Sequence, residues 1–281
     1  MNPYKTGILS GIYYNIVASI DSNVNNLNIY NYARSYGWNG TTRLRMYLTI
    51  AGNVTVGSTN PSLPAMTISG FRDESQTAYH DVLDIINNGN ILGAGGLPGM
   101  AGYSNSIAGS DGGPGGTAIL TTNVLTLTNN GSIWSGGGGG GGGGGYYAAS
   151  YCGGSGSGNC GSYACNGGGC SGCVISTGYG YCCATNKQAS ISWCGSTYPE
   201  INAYGGVGGT GYGFNNTSIA GAAASPGGSG GSGGTYYGVA GSDGVASTTL
   251  NGKGGRAGYC IDGYSLLTTP VVGSVLGGFI N

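Results

Sequence analysis

The sequence predicts a mostly β protein with added polyproline II. A β-rich unit, residues 1–92, is expected to lead into a glycine-rich bundle of polyproline II helices, residues 93–281. Glycine supplies 65 of the 281 residues, including ten in a row from Gly136 to Gly145. Outside that run, glycine returns at every third position in several short segments. Apolar and polar residues alternate from Leu44 to Ile50, a pattern typical of a half-buried strand.

The polyproline II prediction depends on the period of three. A glycine run has no side chain to bury and loses the most backbone freedom on ordering, so a helix or a core strand is not expected. A flexible linker would not keep a period. Polyproline II has about three residues per turn and no internal hydrogen bonds, so glycine at every third position would let neighbouring helices approach and bond one another. The glycine sets are Gly93, Gly96, Gly99 and Gly102; Gly109, Gly112 and Gly115; Gly205, Gly208 and Gly211; Gly227, Gly230 and Gly233; Gly238, Gly241 and Gly244; and Gly252, Gly255 and Gly258.

An internal repeat connects the β-rich unit to the glycine segments. Residues 82–93 and 124–135 each read as a strand, an Asn-Asn-Gly turn, a short strand and the start of a glycine segment, and residues 48–57 are a shorter third copy. Because Asn and Gly tolerate positive φ, this turn suits either a hairpin or the corner of a solenoid. The β layer is therefore expected to feed the glycine layer twice. Residues 271–279 are expected to form a last strand that closes onto it.

Composition excludes several function classes. Charged residues make up 6% of the chain and the net charge is −1, so nothing favours binding to nucleic acid or to an anionic membrane. No apolar run approaches the roughly 20 residues that span a bilayer, so membrane insertion is not expected. His80 is the only histidine and the nine carboxylates are scattered. Residues 227–231 match G-x-S-x-G but lack its strand-turn-helix setting. We predict no catalytic residue, no metal site, no cofactor and no enzyme activity.

The cysteines predict disulfides. Eight of the nine fall in one segment that has little else to bury, which favours cross-links and service outside a reducing cytoplasm. Zinc is the alternative, because Cys170 and Cys173 have knuckle spacing, but a second C-x-x-C is missing. The odd count leaves one thiol free or paired elsewhere. The disulfide candidates are Cys152, Cys160, Cys165, Cys170, Cys173, Cys182, Cys183, Cys194 and Cys260.

Aromatic side chains cluster between the glycine sets, together with Ser, Gly and Asn. This is the composition of binding loops, in which rigid amphipathic rings give contact area at small entropic cost. The alternative is that the rings cover the flanks of the bundle. The receptor-binding candidates are Tyr146, Tyr147, Tyr151, Tyr163, Tyr179, Tyr181, Trp193, Tyr198, Tyr204, Tyr212, Phe214, Tyr236 and Tyr237.

Three stretches carry a resemblance to a known family. They are Ile-Asn-Asn-Gly-x-Ile-x-Gly at residues 86–93, the glycine run that follows Asn-Asn-Gly-Ser-Ile-Trp at 129–134, and the segment at 254–264. The pattern resembles glycine-rich tail-fibre proteins of bacteriophages over residues 44–281, and it is most similar to the detachable tip adhesins of T-even-type long tail fibres. The resemblance implies a sandwich of polyproline II helices whose variable loops touch a host-cell surface receptor, protein or glycan, at the tip of the virion's tail fibre.

The resemblance also implies a second partner. Residues 1–43 would attach to another tail-fibre protein on the N-terminal side, with Tyr30, Tyr32, Tyr36 and Trp38 suited to an interface. The cysteine-rich insertion departs from the family pattern, and both a separate tip protein and a short trimeric fibre are compatible with the resemblance.

Two other functions compete with adhesion. Glycine-rich antifreeze proteins also use polyproline II bundles tied by disulfides, but the β-rich N-terminus and the bulky tyrosine loops argue against ice binding. A purely structural glycine-rich protein of a virion or cell wall is the other alternative. Rings clustered at one end would indicate a receptor tip, whereas a flat face of Ser, Thr and Ala would indicate ice.

Overall fold

A computed structural model describes residues 7–10, 13–72, 80–148, 201–214 and 216–281. Within these residues there is one α-helix, α1 (Ile29–Ser35), and one 3-10 turn (Tyr264–Leu266). The strands are β1 (Gly7–Ser10), β2 (Tyr13–Ile20), β3 (Val24–Asn25), β4 (Leu27–Asn28), β5 (Arg43–Ile50), β6 (Thr55–Gly57), β7 (Met66–Ile68), β8 (Val82–Asn87), β9 (Asn90–Leu92), β10 (Ile119–Thr121), β11 (Thr126–Asn129), β12 (Ser132–Trp134), β13 (Tyr146–Ala148), β14 (Ile201–Ala203), β15 (Tyr259–Asp262), β16 (Ser274–Leu276) and β17 (Gly278–Ile280).

The strands build a three-faced parallel β-solenoid. Sheet A has the order β1-β2-β5-β8-β11, sheet B the order β16-β12-β9-β6-β3, and sheet C the order β17-β15-β10-β7-β4. The chain visits the sheets in the order A, B, C and then begins the next turn. Apart from the antiparallel β1–β2 pair, neighbouring strands in these sheets are parallel.

The solenoid encloses an aliphatic core because its strands alternate. In β5 the side chains of Leu44, Met46, Leu48 and Ile50 are at most 1% exposed, as the alternation in the sequence predicts. The isoleucines of sheets B and C, such as Ile91 and Ile119, fill the same interior. Each such side chain stabilises the fold by roughly 1.5–3 kcal/mol.

The Asn-Asn-Gly turns form solenoid corners between sheets A and B, which decides between the two structures that the repeat allows. Asn87 and Asn129 are buried, and Asn87 Nδ2 donates to Asn129 Oδ1 at 2.7 Å. Asn87 Oδ1 accepts from Gly89 N, and Asn129 Nδ2 donates to Val272 O at 2.8 Å. The stacked asparagine side chains thus form hydrogen bonds with backbone N–H and C=O groups at the corners, which the strand ladders do not pair.

The aromatic residues predicted for attachment pack within the chain itself. Trp38 is 2% exposed, stacks on Phe71 with ring centroids 5.7 Å apart, and donates from Nε1 to Thr42 O. Tyr30 meets the edges of both rings. Tyr32 and Tyr36 lie on or next to α1, with their hydroxyl oxygens 3.2 Å apart. These rings pack on or within the core beside α1. Their part in attachment to another tail-fibre protein stays a prediction.

Two insertions between sheets B and C create a glycine layer. Residues 93–118 separate β9 from β10, and residues 135–258 separate β12 from β15. The β layer therefore feeds the glycine layer twice, as the repeat predicts. The sheets take strands from both sides of residue 92, and the domain boundary placed there stays a prediction. We define the glycine layer as segments 93–102, 109–116, 136–145, 204–213, 217–224, 227–234, 239–245 and 251–258.

The glycine run occupies the centre of this layer. All ten residues from Gly136 to Gly145 are buried. Each backbone N–H from Gly136 to Gly144 donates to a carbonyl of one of three neighbouring segments, and every third N–H donates to the same segment. Gly140 N donates to Gly209 O, Gly141 N to Ser242 O and Gly142 N to Ser110 O. Carbonyls of the run accept from three further segments at the same spacing, including the amides of Gly99, Gly231 and Gly252. Because neighbours approach on every side, no position in the run has room for a Cβ.

The predicted fold class is wrong in its polyproline II part. The regular architecture is parallel β-sheet, no polyproline helix bundle is observed among the described residues, and the glycine segments belong to no helix or strand. The period of three marks where segments approach closely, but it does not by itself specify a backbone conformation or a class of fold. The β-rich part of the prediction agrees with the structure.

Candidate functional site

The glycine layer has two ends because its segments run back and forth. Gly93 N donates to Trp134 O and Gly102 N to Gly143 O, so these two segments run side by side in one direction. Gly142 N donates to Ser110 O and Gly136 N to Gly116 O, so segment 109–116 returns. The near end adjoins the solenoid and carries Phe214, Asn216 and the turn at 235–238. The far end carries residues 103–108, 146–148, 201–204, 225–226 and 246–250.

Two paired strands, β13 and β14, lie at the far end. β13 leaves the central glycine run and pairs antiparallel with β14, with Tyr146 opposite Ala203. Tyr147 N donates to Thr248 Oγ1 at 3.0 Å, which ties β13 to the turn at 246–250. Ser104 adopts φ 54°, donates from its backbone N to Ala203 O, and its hydroxyl contacts Asn202 Oδ1. The turns at 103–108 and 246–250 thus converge on the paired strands β13 and β14.

Exposed rings and aliphatic side chains surround this point. Tyr204 is 66% exposed and its ring centroid lies 4.3 Å from that of Tyr103. Met100, Ile107 and Leu250 are 74%, 54% and 76% exposed. Gly109 N donates to Leu250 O, and Thr249 Oγ1 donates to Ile107 O, so these aliphatic side chains belong to adjacent turns. The far end therefore presents contact area that the structure itself does not bury.

Aromatic residues at the near end have a different setting. Tyr212, Tyr236, Tyr237 and Trp134 form one cluster with ring centroids 5.0–5.9 Å apart. Tyr237 is buried, and burial raises the pKa of its hydroxyl to about 12. Phe214 packs so closely on Gly57 of β6 that a Cβ there would overlap its ring. These rings join the glycine layer to the solenoid.

The sequence-predicted rings are therefore divided between the two ends. Tyr146, Tyr147 and Tyr204 lie at the far end, whereas Tyr212, Phe214, Tyr236 and Tyr237 lie at the near end. The remaining six candidates, Tyr151, Tyr163, Tyr179, Tyr181, Trp193 and Tyr198, fall outside the described residues. Their binding role stays a prediction.

Sequence reasoning missed Tyr103, Met100, Ile107 and Leu250 at the far end. The rings singled out in the sequence lie between glycine sets, whereas Met100 lies within a set and Tyr103 directly follows it, each in the outward position after a glycine of that set. That outward position in a period of three is the signal that could have identified them.

Cys260 is a buried free thiol in the structure. Its Sγ donates towards the carbonyls of Gly277 and Gly278, at 3.4 and 3.1 Å. Burial raises its pKa to about 11. The other eight cysteines lie outside the described residues, and their pairing stays a prediction.

The described residues contain neither a metal-ion cluster nor a membrane-spanning helix. No group of three His, Cys, Asp or Glu side chains there is placed to hold a metal ion. The single α-helix described has seven residues, and none that is long and apolar enough to cross a membrane is found in the same part of the chain.

The solenoid forms a base, and the inserted glycine layer carries turns that converge at its far end. A protein with this architecture presents loops at a distance from its base. The family model of phage tail fibre adhesin Gp38 matches residues 15–280, and the chain belongs to that family. No curated protein and no solved structure matches the chain. The protein is thus a phage adhesin of the virion tail, a class that binds host receptors. The family match does not support the ice-binding alternative.

Proposed function

We propose that the protein sits at the tip of a tail fibre and recognises a host-cell surface receptor through loops at the far end of the glycine layer. One observation carries this proposal. The strand that ends at Ala148 pairs with the strand that begins at Ile201 at the end of the layer away from the solenoid, next to the exposed ring of Tyr204. The likeness to T-even-type tip adhesins belongs to the same proposal, with the solenoid directed towards the rest of the fibre.

The chemistry of the two parts of the layer supports this assignment. The central glycines have their N–H and C=O groups bonded to neighbouring segments, so they offer little for discrimination. The far end offers the exposed ring of Tyr204 and the aliphatic side chains of Met100 and Leu250. Anchors of this kind carry most of the binding energy of an interface. We propose binding rather than catalysis as the function of this end.

Ring removal at the two ends tests the proposal. Tyr204→Ser combined with Tyr147→Ser should weaken binding of purified protein to host cells by roughly 30-fold or more, the loss of about 2 kcal/mol or more that an aromatic anchor brings. Tyr236→Ser is the comparison at the near end, because Tyr236 is 45% exposed but faces the solenoid junction. Circular dichroism checks that all variants remain folded. Wild-type binding by the far-end variant, or an equal loss in the near-end variant, would reject the assignment.

Host cells with altered surfaces identify the chemical class of the receptor. Cells treated with protease, and cells that lack surface glycan, are compared with untreated cells in the same binding assay. Loss of binding to one preparation identifies the receptor as protein or glycan. Unchanged binding to both would exclude each as the sole receptor.

A further inference from the structure

One side of the glycine layer exposes apolar side chains from three neighbouring segments, 93–102, 204–213 and 217–224. The exposed fractions are 59% for Leu97, 47% for Val207 and 56% for Ile219. We define the flank as the outward residues that recur at every third position of these segments: Leu97, Met100, Val207, Thr210, Ile219 and Ala222. Five of the six are apolar. The flank is a side of the layer, whereas the turns described above lie at its far end.

Backbone pairing arranges the flank in two rows. The first two segments pair antiparallel, as in Gly208 N to Gly99 O, so Met100 lies level with Val207. The third segment continues the row, since Ala222 N donates to Val207 O at 2.8 Å. The row nearer the far end is Met100, Val207 and Ala222, and the next row is Leu97, Thr210 and Ile219. The apolar side chains are therefore neighbours on one continuous surface.

Charge is confined to the opposite side of the layer. The described segments of the layer hold four charged residues, and none belongs to the flank: Asp111, Asp243, Lys253 and Arg256. They lie on three segments that are bonded to one another, as in Gly112 N to Lys253 O and Gly241 N to Gly255 O, across the central run from the flank. An exposed apolar patch of this kind marks a site of contact with another molecule.

The size and position of the flank indicate which molecule covers it. Its two rows on three segments span on the order of 300 Å², because hydrogen-bonded segments lie roughly 5 Å apart. A stable interface buries about 800 Å² on each partner, so the flank alone is too small to hold a second copy of the chain. The next outward positions are Tyr103 and Tyr204, whose ring centroids lie 4.3 Å apart at the far end. The flank thus continues the surface of the far end without a break.

We infer that the receptor bound at the far end also covers the flank, with an uncharged, apolar surface that runs along the side of the layer. The inference rests on the proposed function, because the flank can extend the contact only if the far end holds the receptor. Leu97 lies six residues before Tyr103, so the receptor reaches back along the layer by roughly 20 Å. It therefore encloses one side of the layer and does not meet its end alone.

Removal of flank side chains tests the inference in the assay of binding to host cells. The triple variant Leu97→Ser/Val207→Ser/Ile219→Ser leaves Tyr147 and Tyr204 in place and should weaken binding by at least ten-fold. The control is Val239→Ser, because Val239 is 42% exposed on a segment across the central run. It should bind as the wild type does. Thermal unfolding followed by circular dichroism checks that each variant remains folded.

A charge placed in the flank identifies the chemistry of the surface that covers it. Val207→Lys and Val207→Glu should each weaken binding by at least ten-fold, because an apolar partner would strip water from either ion. The exposed position allows the free protein to keep its fold with either side chain. Opposite effects of the two charges would show that the receptor surface is charged, and would overturn the inference. The matched controls, Val239→Lys and Val239→Glu, should bind normally.

The outcomes separate this inference from the proposed function. Normal binding by folded flank variants, with binding lost in the Tyr147→Ser/Tyr204→Ser variant, would overturn the inference and leave the proposed function standing. Normal binding by the Tyr147→Ser/Tyr204→Ser variant would reject the proposed function and this inference with it. Sedimentation of the free protein tests a second copy of the chain as the occupant. A dimer that Val207→Glu abolishes would overturn the inference, since the flank would then be covered before the receptor is met.

Discussion

The β-solenoid and the glycine layer fill their interiors with different groups. Inward residues of β5, such as Leu48, fill the solenoid with side chains, whereas inward residues of the layer, such as Gly140, present a hydrogen atom to a neighbouring backbone. Both regions pair their backbone groups with adjacent segments. The layer has little apolar area to bury, so its stability depends on hydrogen bonds of about 0.5–1.5 kcal/mol each and on close approach. The solenoid is thus stabilised by buried side chains, and the layer by hydrogen bonds between closely spaced backbone segments.

The largest effect is expected at the centre of the layer. Gly140→Val should prevent the layer from forming, because a Cβ there would overlap the carbonyl of Gly231. We expect a loss above about 4 kcal/mol, measured by thermal unfolding with circular dichroism. Gly113→Ala is the graded control, since its Cβ would meet Leu97 N at 3.2 Å and requires only a small shift. Equal melting of Gly140→Val and wild type would contradict the dependence on close approach.

Truncation in the solenoid should cost less and leave the layer in place. Leu48→Ala removes a side chain that is 1% exposed, and we expect a loss of about 2–5 kcal/mol. Thr49→Ala, the outward neighbour in the same strand, should change stability by less than about 0.5 kcal/mol. Chemical denaturation of both variants measures the difference. A Leu48→Ala variant as stable as Thr49→Ala would show that the solenoid core is not packed as described.

A smaller loss is expected at the Asn-Asn-Gly corners. Asn87→Ala leaves the buried Oδ1 of Asn129 without the donor Nδ2 of Asn87, for which we expect a loss of about 1–3 kcal/mol in stability. Asn130→Ala removes the analogous but exposed bond to Asn88 Oδ1 and should have little effect. Hydrogen exchange of the Gly89 and Gly131 amides reports the corner directly. If both substitutions proved equally mild, the buried ladder would have no special role.

The smallest expected effect is on the dependence of stability on pH. The Cys260 thiol has its pKa raised from about 9 to about 11 by burial. Below pH 9 the thiol is protonated in both states and its contribution is complete. Between pH 9 and 11 the unfolded chain loses the proton first, so stability falls as pH rises. Cys260→Ala should reduce this fall, as measured by melting temperature at pH 8, 9, 10 and 11. An unchanged alkaline profile would mean that the thiol does not titrate with folding.

Local pattern was sufficient for the strands of the β-rich unit and insufficient for the arrangement of either region. The alternation from Leu44 to Ile50 predicts a strand, and the Asn-Asn-Gly repeat predicts turns between strands, because each depends on a few neighbouring residues. The repeat leaves open whether these turns are hairpins or solenoid corners. The period of three correctly indicates close contact, since only glycine permits it. It could not give the conformation or the class of fold, because six neighbours from distant parts of the chain determine the surroundings of Gly136 to Gly145.

The candidate site was harder to predict for the same reason. Tyr146 and Tyr236 both follow glycine segments, yet they lie at opposite ends because the number of preceding reversals differs. Trp38 and Tyr47 are both aromatic residues of the N-terminal region, and only Tyr47 is exposed, since the turn after α1 directs Trp38 inwards. The sequence alone gives residue types, whereas the end of the layer at which a residue lies depends on how many times the chain has reversed before it.

The threefold spacing of hydrogen bonds around the central run also limits how such a gene can change in length. An insertion of three residues within a glycine segment keeps every later amide opposite a carbonyl, whereas an insertion of one or two shifts the whole remaining segment out of register. The turns at the far end follow no such rule, because their residues pair with no repeating partner. A lineage can therefore lengthen, shorten or exchange the far-end turns freely while the scaffold changes only in whole triplets. Under the proposed function, these freely varying turns are the surface that contacts the host receptor.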